Sequence, residues 1–306
     1  MSIRKIKSDL EKLDYLASCD PDMQLFLRKN HPDEIYHVDE KCGIFSIPQL
    51  PEGEVLKYVI ERRGRNNIQK LTPALERKVL EGLEAQMFVQ DIEGIQVLKR
   101  LGFFDGINGL LGPFEYLNGN KLSSDNYNPS PEYVLGRFKE VDRTLGLVHE
   151  AGVVHCDIKP GNIIDAKGKY FIIDWSIARF ILSNPGTLMV TLRYYYPHDD
   201  RSLDYWALSI AFLETLGLKF NIHEDEFRDA PDDFVHRMQR RLTNQFGKNS
   251  DYRSYYLNLA NRSNESLPLD EESRKKLFEH IEKMGHRLDE QLSGSTFSIH
   301  ITDVHE

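Results

Sequence analysis

Cysteine is scarce in this chain of 306 residues: Cys19, Cys42 and Cys156 stand far apart and form no C-x-x-C pair. That count and spacing argue against a disulfide framework and a zinc ribbon, and favour a reducing compartment. Long apolar runs are missing too. Nothing approaches the length of a membrane span, and the start MSIRKIKSDL lacks the hydrophobic region of a secretion signal. A soluble, intracellular, cytoplasmic protein is the expectation. Positive charge is in deficit, with 39 Lys and Arg against 48 Asp and Glu for a net charge of −9. A surface of that sign repels polyanions, which argues against a nucleic-acid partner. Two local basic runs, RRGR at 62–65 and HRMQRR at 236–241, read as solvated loop or helix faces.

What is present is ordinary globular usage, 40% hydrophobic and 28% charged. Ile3, Ile6, Leu10, Leu13 and Leu16 recur at helical spacing and predict an amphipathic N-terminal helix. From Ile35 the pattern turns short and strand-like. IYHV, GIFSI and EVLKYVI predict a three-stranded antiparallel meander. Thr72-Pro73 then signals a helix start for ALERKVLEGLEAQMF. Two further strands are predicted at 94–101 and 109–117. Five strands and one helix make a small α+β lobe over 35–117, after an extension at 1–34.

The stretch NGNKLSSDNYNPSP reads as a loop, and beyond it the character changes. Val134, Phe138, Val141, Leu145 and Val148 predict a helix over 131–150 with a buried stripe. GNIID and YFIIDW flank AKGK as a two-strand hairpin. LDYWALSIAFLETLG reads as a central helix, and 218–292 as further helices. The last of these carries Leu277, Ile281, Met284, Leu288 and Leu292 on one face. A larger, mainly helical lobe is thus expected over 118–292, and the polar stretch 293–306 reads as a tail or an added edge strand.

The stretch VVHCDIKPGNIIDAKGKYFIIDW, 153–175, crowds polar groups between apolar runs. HCDIKPGN, followed twelve residues after Asn162 by Asp174, resembles the catalytic loop and metal-binding segment of the protein kinase superfamily. The resemblance covers roughly 36–216 and implies a bilobal α+β kinase fold, small antiparallel lobe first. It also implies ATP with Mg²⁺ or Mn²⁺ as cofactors, and a protein substrate phosphorylated on serine or threonine. Asp157 would accept the substrate hydroxyl's proton, and Lys159 would neutralise the transferring phosphoryl group. Asn162 and Asp174 would hold the metal through an amide carbonyl and a carboxylate. Thr191, in TLRYYYP, would hydrogen-bond Asp157 and Lys159. Asp204, in LDYWALS, would tie down the backbone around His155.

The same resemblance assigns nucleotide contacts in the small lobe. Lys57 would bind the α- and β-phosphates, paired with a glutamate of the following helix. Glu84 is chosen for its distance to the fourth strand, with Glu76 as the competing choice. In FEYLNGNKL, Phe114 would be the gatekeeper, and main-chain groups of Glu115 and Leu117 would bond the adenine edge. Gly43 is the sole glycine of VDEKCGIFSI, where a glycine-rich loop would normally wrap the phosphates.

Other departures carry consequences. Cys156 replaces the arginine of the catalytic loop, so activity independent of phosphate on Ser183 or Thr187 is expected. Trp175-Ser176 replaces Phe-Gly, and His198 stands where a glutamate usually closes the segment. Two alternatives remain open. Aminoglycoside- and choline-type kinases share the loop and often carry the IDW found at 173–175, though Lys159 and TLRYYYP speak against them. A pseudokinase scaffold would account for the bare glycine loop, but nothing would oblige it to keep base and metal ligands together. His149, His223 and His236 lack metal-ligand spacing and read as ordinary packing or surface residues.

Overall fold

The computed structural model describes residues 37–38, 42–45, 54–59, 61–62, 68–69, 73–98, 100–101, 110–115, 117–124, 127–181, 200–218, 231–248, 250–262, 271–272, 275–283 and 302–303. Two compact units divide the chain, one of Met1–Met87, Gln96–Leu117 and Lys283–Glu306, the other of Phe88–Ile95 and Asn118–Glu282. The helix read over 3–16 lies outside the described residues.

In the first unit the alternating stretches do form a meander. β1 (His37–Val38), β2 (Cys42–Phe45) and β3 (Glu54–Val59) pair antiparallel in chain order. β4 (Glu61–Arg62) and β5 (Ile68–Gln69) then pair with each other, so the RRGR run begins in a strand. Helix α1 (Pro73–Val89) follows from the Thr-Pro signal and buries Val79, Leu80 and Leu83. β6 (Arg100–Leu101) is short, and β7 (Leu110–Glu115) completes the sheet order β1-β2-β3-β7.

The fifth strand expected over 94–101 is reduced, among the described residues, to a bridge of Leu98 with Phe114, a Glu115 N–H bond to Val97 O, and β6. Pro113 supplies a reason. Backbone groups alternate between the two edges of a strand, so Pro113 faces the same edge as Glu115 and has no N–H to donate there. At its start, Ile95 is diverted to a parallel bridge with Ile172, and Ile172 N–H donates to Gly94 O.

The longer segment of the second unit opens with β8 (Gly119–Lys121), inside the stretch read from sequence as loop. The absence of β-branched residues in GNK hid it. Helix α2 (Pro131–Glu150) starts at Ser130, whose Oγ accepts from Tyr133 N–H, with Pro131 in the first turn. Its buried stripe contains Val134, Phe138, Val141, Leu145 and Val148, as the spacing predicts. β9 (Val153–Val154) leads into the polar stretch. β10 (Ile163–Ala166) and β11 (Lys169–Ile172) form the expected hairpin, and β10 also pairs with β8. Lys167 and Gly168 at its tip both have positive φ, 53° and 73°, which suits a two-residue turn of type I′. β12 (Arg179–Phe180) pairs with β9.

Helix α3 (Asp200–Thr215) is the central helix, with Tyr205, Trp206 and Phe212 almost wholly buried. Phe138 links α2 to α3 and β11 through edge-on ring contacts with Phe212 and Tyr170. Helices α4 (Pro231–Phe246), α5 (Asp251–Arg262) and α6 (residues 275–283) follow. Tyr255 of α5 donates its hydroxyl to Phe138 O at 2.7 Å, which fixes α5 on α2. Leu277 of α6 is buried, whereas Met284, Leu288 and Leu292 lie outside the described residues. β13 (Thr302–Asp303) pairs with β6.

Candidate active site

β9 delivers the chain to His155, and a single 3-10 turn at 160–162 returns it into β10. Between them Cys156 adopts a left-handed φ of 66°, a conformation that costs a non-glycine residue about 1–2 kcal/mol. Asp204, fully buried on α3, holds this bend. Its Oδ2 accepts from His155 N–H at 2.8 Å and its Oδ1 from Cys156 N–H at 2.9 Å. His149 Nε2 also meets Asp204 Oδ2 at 3.0 Å. His149 therefore belongs to the scaffold under the loop, a role that its spacing in the sequence did not disclose.

Beyond the bend, Asp157, Lys159 and Asn162 converge. Lys159 Nζ donates to Asp157 Oδ2 at 2.5 Å, and Asn162 Nδ2 donates to the same oxygen at 2.8 Å. The Asn162 amide also reaches Asp157 O at 2.9 Å, locking its rotamer across the turn. Asp157 is largely buried, in surroundings that strengthen both bonds.

His155 and Trp175 connect this loop to Asp174. The His155 ring packs edge-on against Trp175 at 4.6 Å, and its Nε2 meets Ile173 O at 3.1 Å. Burial pushes the imidazole below its ordinary range, against the pull of Asp204 and Asp157. A neutral ring with one N–H donating to Ile173 O fits that environment. Asp174 has a left-handed φ of 64°, and Ser176 Oγ donates to its Oδ1 at 2.8 Å. Trp175 Nε1 reaches back to Ile172 O at 3.4 Å.

Burial also pushes the Cys156 thiol up to about 12, partly offset by the neighbouring Arg179 guanidinium. The thiol is a protonated packing group, in contact with Val154 and Leu203. Arg179 of β12, beside it, was not singled out from the sequence.

The remaining predicted residues are placed as follows. Lys57 stands in β3 opposite Ile44 and Gly112, and Gly43 in β2 opposite Tyr58. The Lys57 and Glu76 side chains and the whole of Thr191, Ser183, Thr187 and His198 lie outside the described residues. Glu84 is buried on α1. Phe114 and Leu117 are buried. The main-chain groups of Glu115 are engaged within their own unit: N–H with Val97 O at 2.8 Å, and C=O with Gln96 Nε2 at 2.8 Å.

Among the described residues no cluster of three or more His, Cys, Asp or Glu could hold a metal by itself. Asn162 turns its amide nitrogen into Asp157, which directs its carbonyl oxygen elsewhere as a hard donor. An amide oxygen and one carboxylate suit a cation that takes its other ligands from phosphate and water, as Mg²⁺ does.

Known proteins resemble this chain in sequence. The family described as protein kinase domain matches residues 67–284, well over half of the chain. A probable casein kinase II subunit alpha homolog of Encephalitozoon cuniculi is 32% identical over 202 residues, covering 58% of this chain and 63% of that protein. The KEOPS complex subunit Bud32 of Pyrococcus abyssi is 38% identical over 66 residues, 22% of this chain and 30% of that one. The serine/threonine-protein kinase PknA of Mycobacterium tuberculosis is 32% identical over 112 residues, 34% and 26% respectively. The chain thus spans less than two thirds of the length of each of these relatives. Among solved structures, the Cydia pomonella granulovirus kinase PK-1 aligns with a TM-score of 0.45 and 17% identity, over 65% of this chain and 75% of that one. With a kinase-domain match over most of its length, this chain belongs to the protein kinase family.

Proposed function

We infer that the chain transfers the γ-phosphoryl group of ATP to serine or threonine hydroxyls of protein substrates. The observation that carries this reading is the convergence of Lys159 Nζ and Asn162 Nδ2 on one oxygen of the buried Asp157. An aspartate held on both flanks presents its carboxylate in a fixed orientation. It accepts the proton of the attacking hydroxyl as the new oxygen–phosphorus bond forms and the bond to the β-phosphate bridging oxygen breaks. Lys159 sits two residues from the base, close enough to swing from Asp157 to the phosphoryl oxygens as their charge redistributes. Asn162 and Asp174 hold Mg²⁺, which supplies charge neutralisation on the phosphates when bound. Lys57 and Glu84 serve the nucleotide in the first unit, and main-chain groups of Glu115 and Leu117 meet the adenine edge.

Serine or threonine as acceptor draws support from Lys159 and from relatives named as serine/threonine kinases. The test is transfer of labelled γ-phosphate from ATP, with Mg²⁺ or Mn²⁺, to a generic basic protein. Asp157→Ala is expected to lose about 10²–10⁴-fold, and Asp174→Ala to lose transfer altogether. ATP binding with no transfer to any protein would instead point to a small-molecule acceptor or a scaffold.

A further inference from the structure

Three aromatic rings from three distant parts of the chain meet in the second unit. Phe88 is the penultimate residue of α1, Phe180 belongs to β12, and His280 lies on α6. The His280 ring is tilted on both phenyls, 4.5 Å from Phe88 and 5.3 Å from Phe180, and the two phenyls meet edge-on at 5.6 Å. Phe180 is fully buried, and Leu277 one turn before His280 is buried as well. The next residue, Phe278, is 60% exposed, so α6 applies one defined face.

What these rings join is the reason to assign them more than packing. Phe88 lies one helical turn after Glu84, on the same face of α1. Phe180 lies six residues after Asp174, in a strand whose partner β9 runs directly into His155 and Asp157. A single side chain of α6 therefore touches both the end of the helix that carries Glu84 and the strand shared by the two catalytic segments. Packing of His280 on Phe180 restricts the movement of that strand, and the tilted ring contacts make the restriction orientation-dependent.

We propose that His280 is a positioning residue: through Phe88 and Phe180, helix α6 sets the end of α1 and the strand that follows Asp174 in the arrangement phosphoryl transfer needs. The proposal rests on the kinase reading above for its catalytic consequence, but the mechanical link stands on the ring contacts alone. A flat ring is the requirement, so His280→Phe preserves the function and His280→Ala removes it.

The experiment is amide hydrogen exchange on the full chain, followed by steady-state kinetics, for wild type, His280→Ala, His280→Phe and the surface control Phe278→Ala. His280→Ala is expected to speed exchange about tenfold at 86–89 and 178–181 while leaving 131–150 unchanged. It should lower kcat about tenfold with the KM for ATP altered less than twofold. His280→Phe should restore both readouts, and Phe278→Ala should match wild type. Unchanged exchange at either segment in His280→Ala overturns the proposal. So does an even rise across the unit that phenylalanine does not reverse, because that marks a merely structural residue. A wild-type chain that transfers no phosphate would sink the kinase reading, and exchange would still decide the link.

Discussion

Asp204 is where a small change should have the largest readable effect. Its two oxygens serve three donors or partners: Cys156 N–H on Oδ1, and His155 N–H with His149 Nε2 on Oδ2. All are buried, so none can turn to water when the acceptor is lost. Asp204→Asn replaces one oxygen with a group that carries only hydrogens. In its less costly orientation the new NH₂ faces Cys156 N–H, orphaning one buried donor at about 1–3 kcal/mol. In the other orientation two partners are lost, so roughly 2 kcal/mol is the expected destabilisation. Asp204→Ala removes the acceptor for all three, roughly 5 kcal/mol on the same scale, a large part of the 5–15 kcal/mol typical of a folded domain. The lost bonds are those that hold the left-handed Cys156, so transfer activity should fall more steeply than stability. Urea unfolding compared at matched m-values, with initial rates measured well below the midpoint, separates the two effects. A destabilisation below about 0.5 kcal/mol in Asp204→Asn, or one equal to that of Asp204→Ala, would refute the reasoning.

Three further outcomes follow from the same structure. A Cβ at Gly119 would stand 2.1 Å from Asp165 O, so Gly119→Ala should displace β8 from β10 and destabilise by about 1–3 kcal/mol, read by urea unfolding. Cys156 is 5% exposed with its thiol pushed up to about 12, so it should resist iodoacetamide at pH 8 until the chain is unfolded, as mass mapping of the modified peptide would register. Folding holds His155 below the ordinary value of 6.5, so the unfolded chain takes up that proton first as pH falls. Its stabilising contribution is complete above that value and declines as pH drops toward the lower folded one, giving a falling Tm below neutral pH. Nitrogen NMR of the ring should show it neutral at pH 6.5, and a half-charged ring there would contradict the assignment.

Much of the candidate site was legible because its contacts are local. Asp157 meets Lys159 two residues on and Asn162 five residues on, so the order of residue types nearly specifies the geometry once a single tight turn is allowed. The stripe of α2 and the Lys167-Gly168 hairpin are local in the same sense: a period of 3.6 or a two-residue turn is written in neighbouring positions. The strand over 94–101 shows the limit, since its alternation was sound and Pro113, on another strand, removed the donor it needed.

Contacts across long stretches of chain had no such signature. His149 meets Asp204 across 55 positions, and nothing in its surroundings in the sequence separates it from a packing histidine. β8 became a strand only because β10 offered an edge close enough to exclude every side chain at Gly119. His280 sits among charged residues of an exposed helix, and its partners Phe88 and Phe180 belong to elements of opposite type. The sequence by itself determined which groups could do the chemistry, because reactivity resides in residue types and their near spacing. The tertiary structure alone decided what holds those groups still, because a buried acceptor or ring acts on whichever distant backbone the fold brings against it.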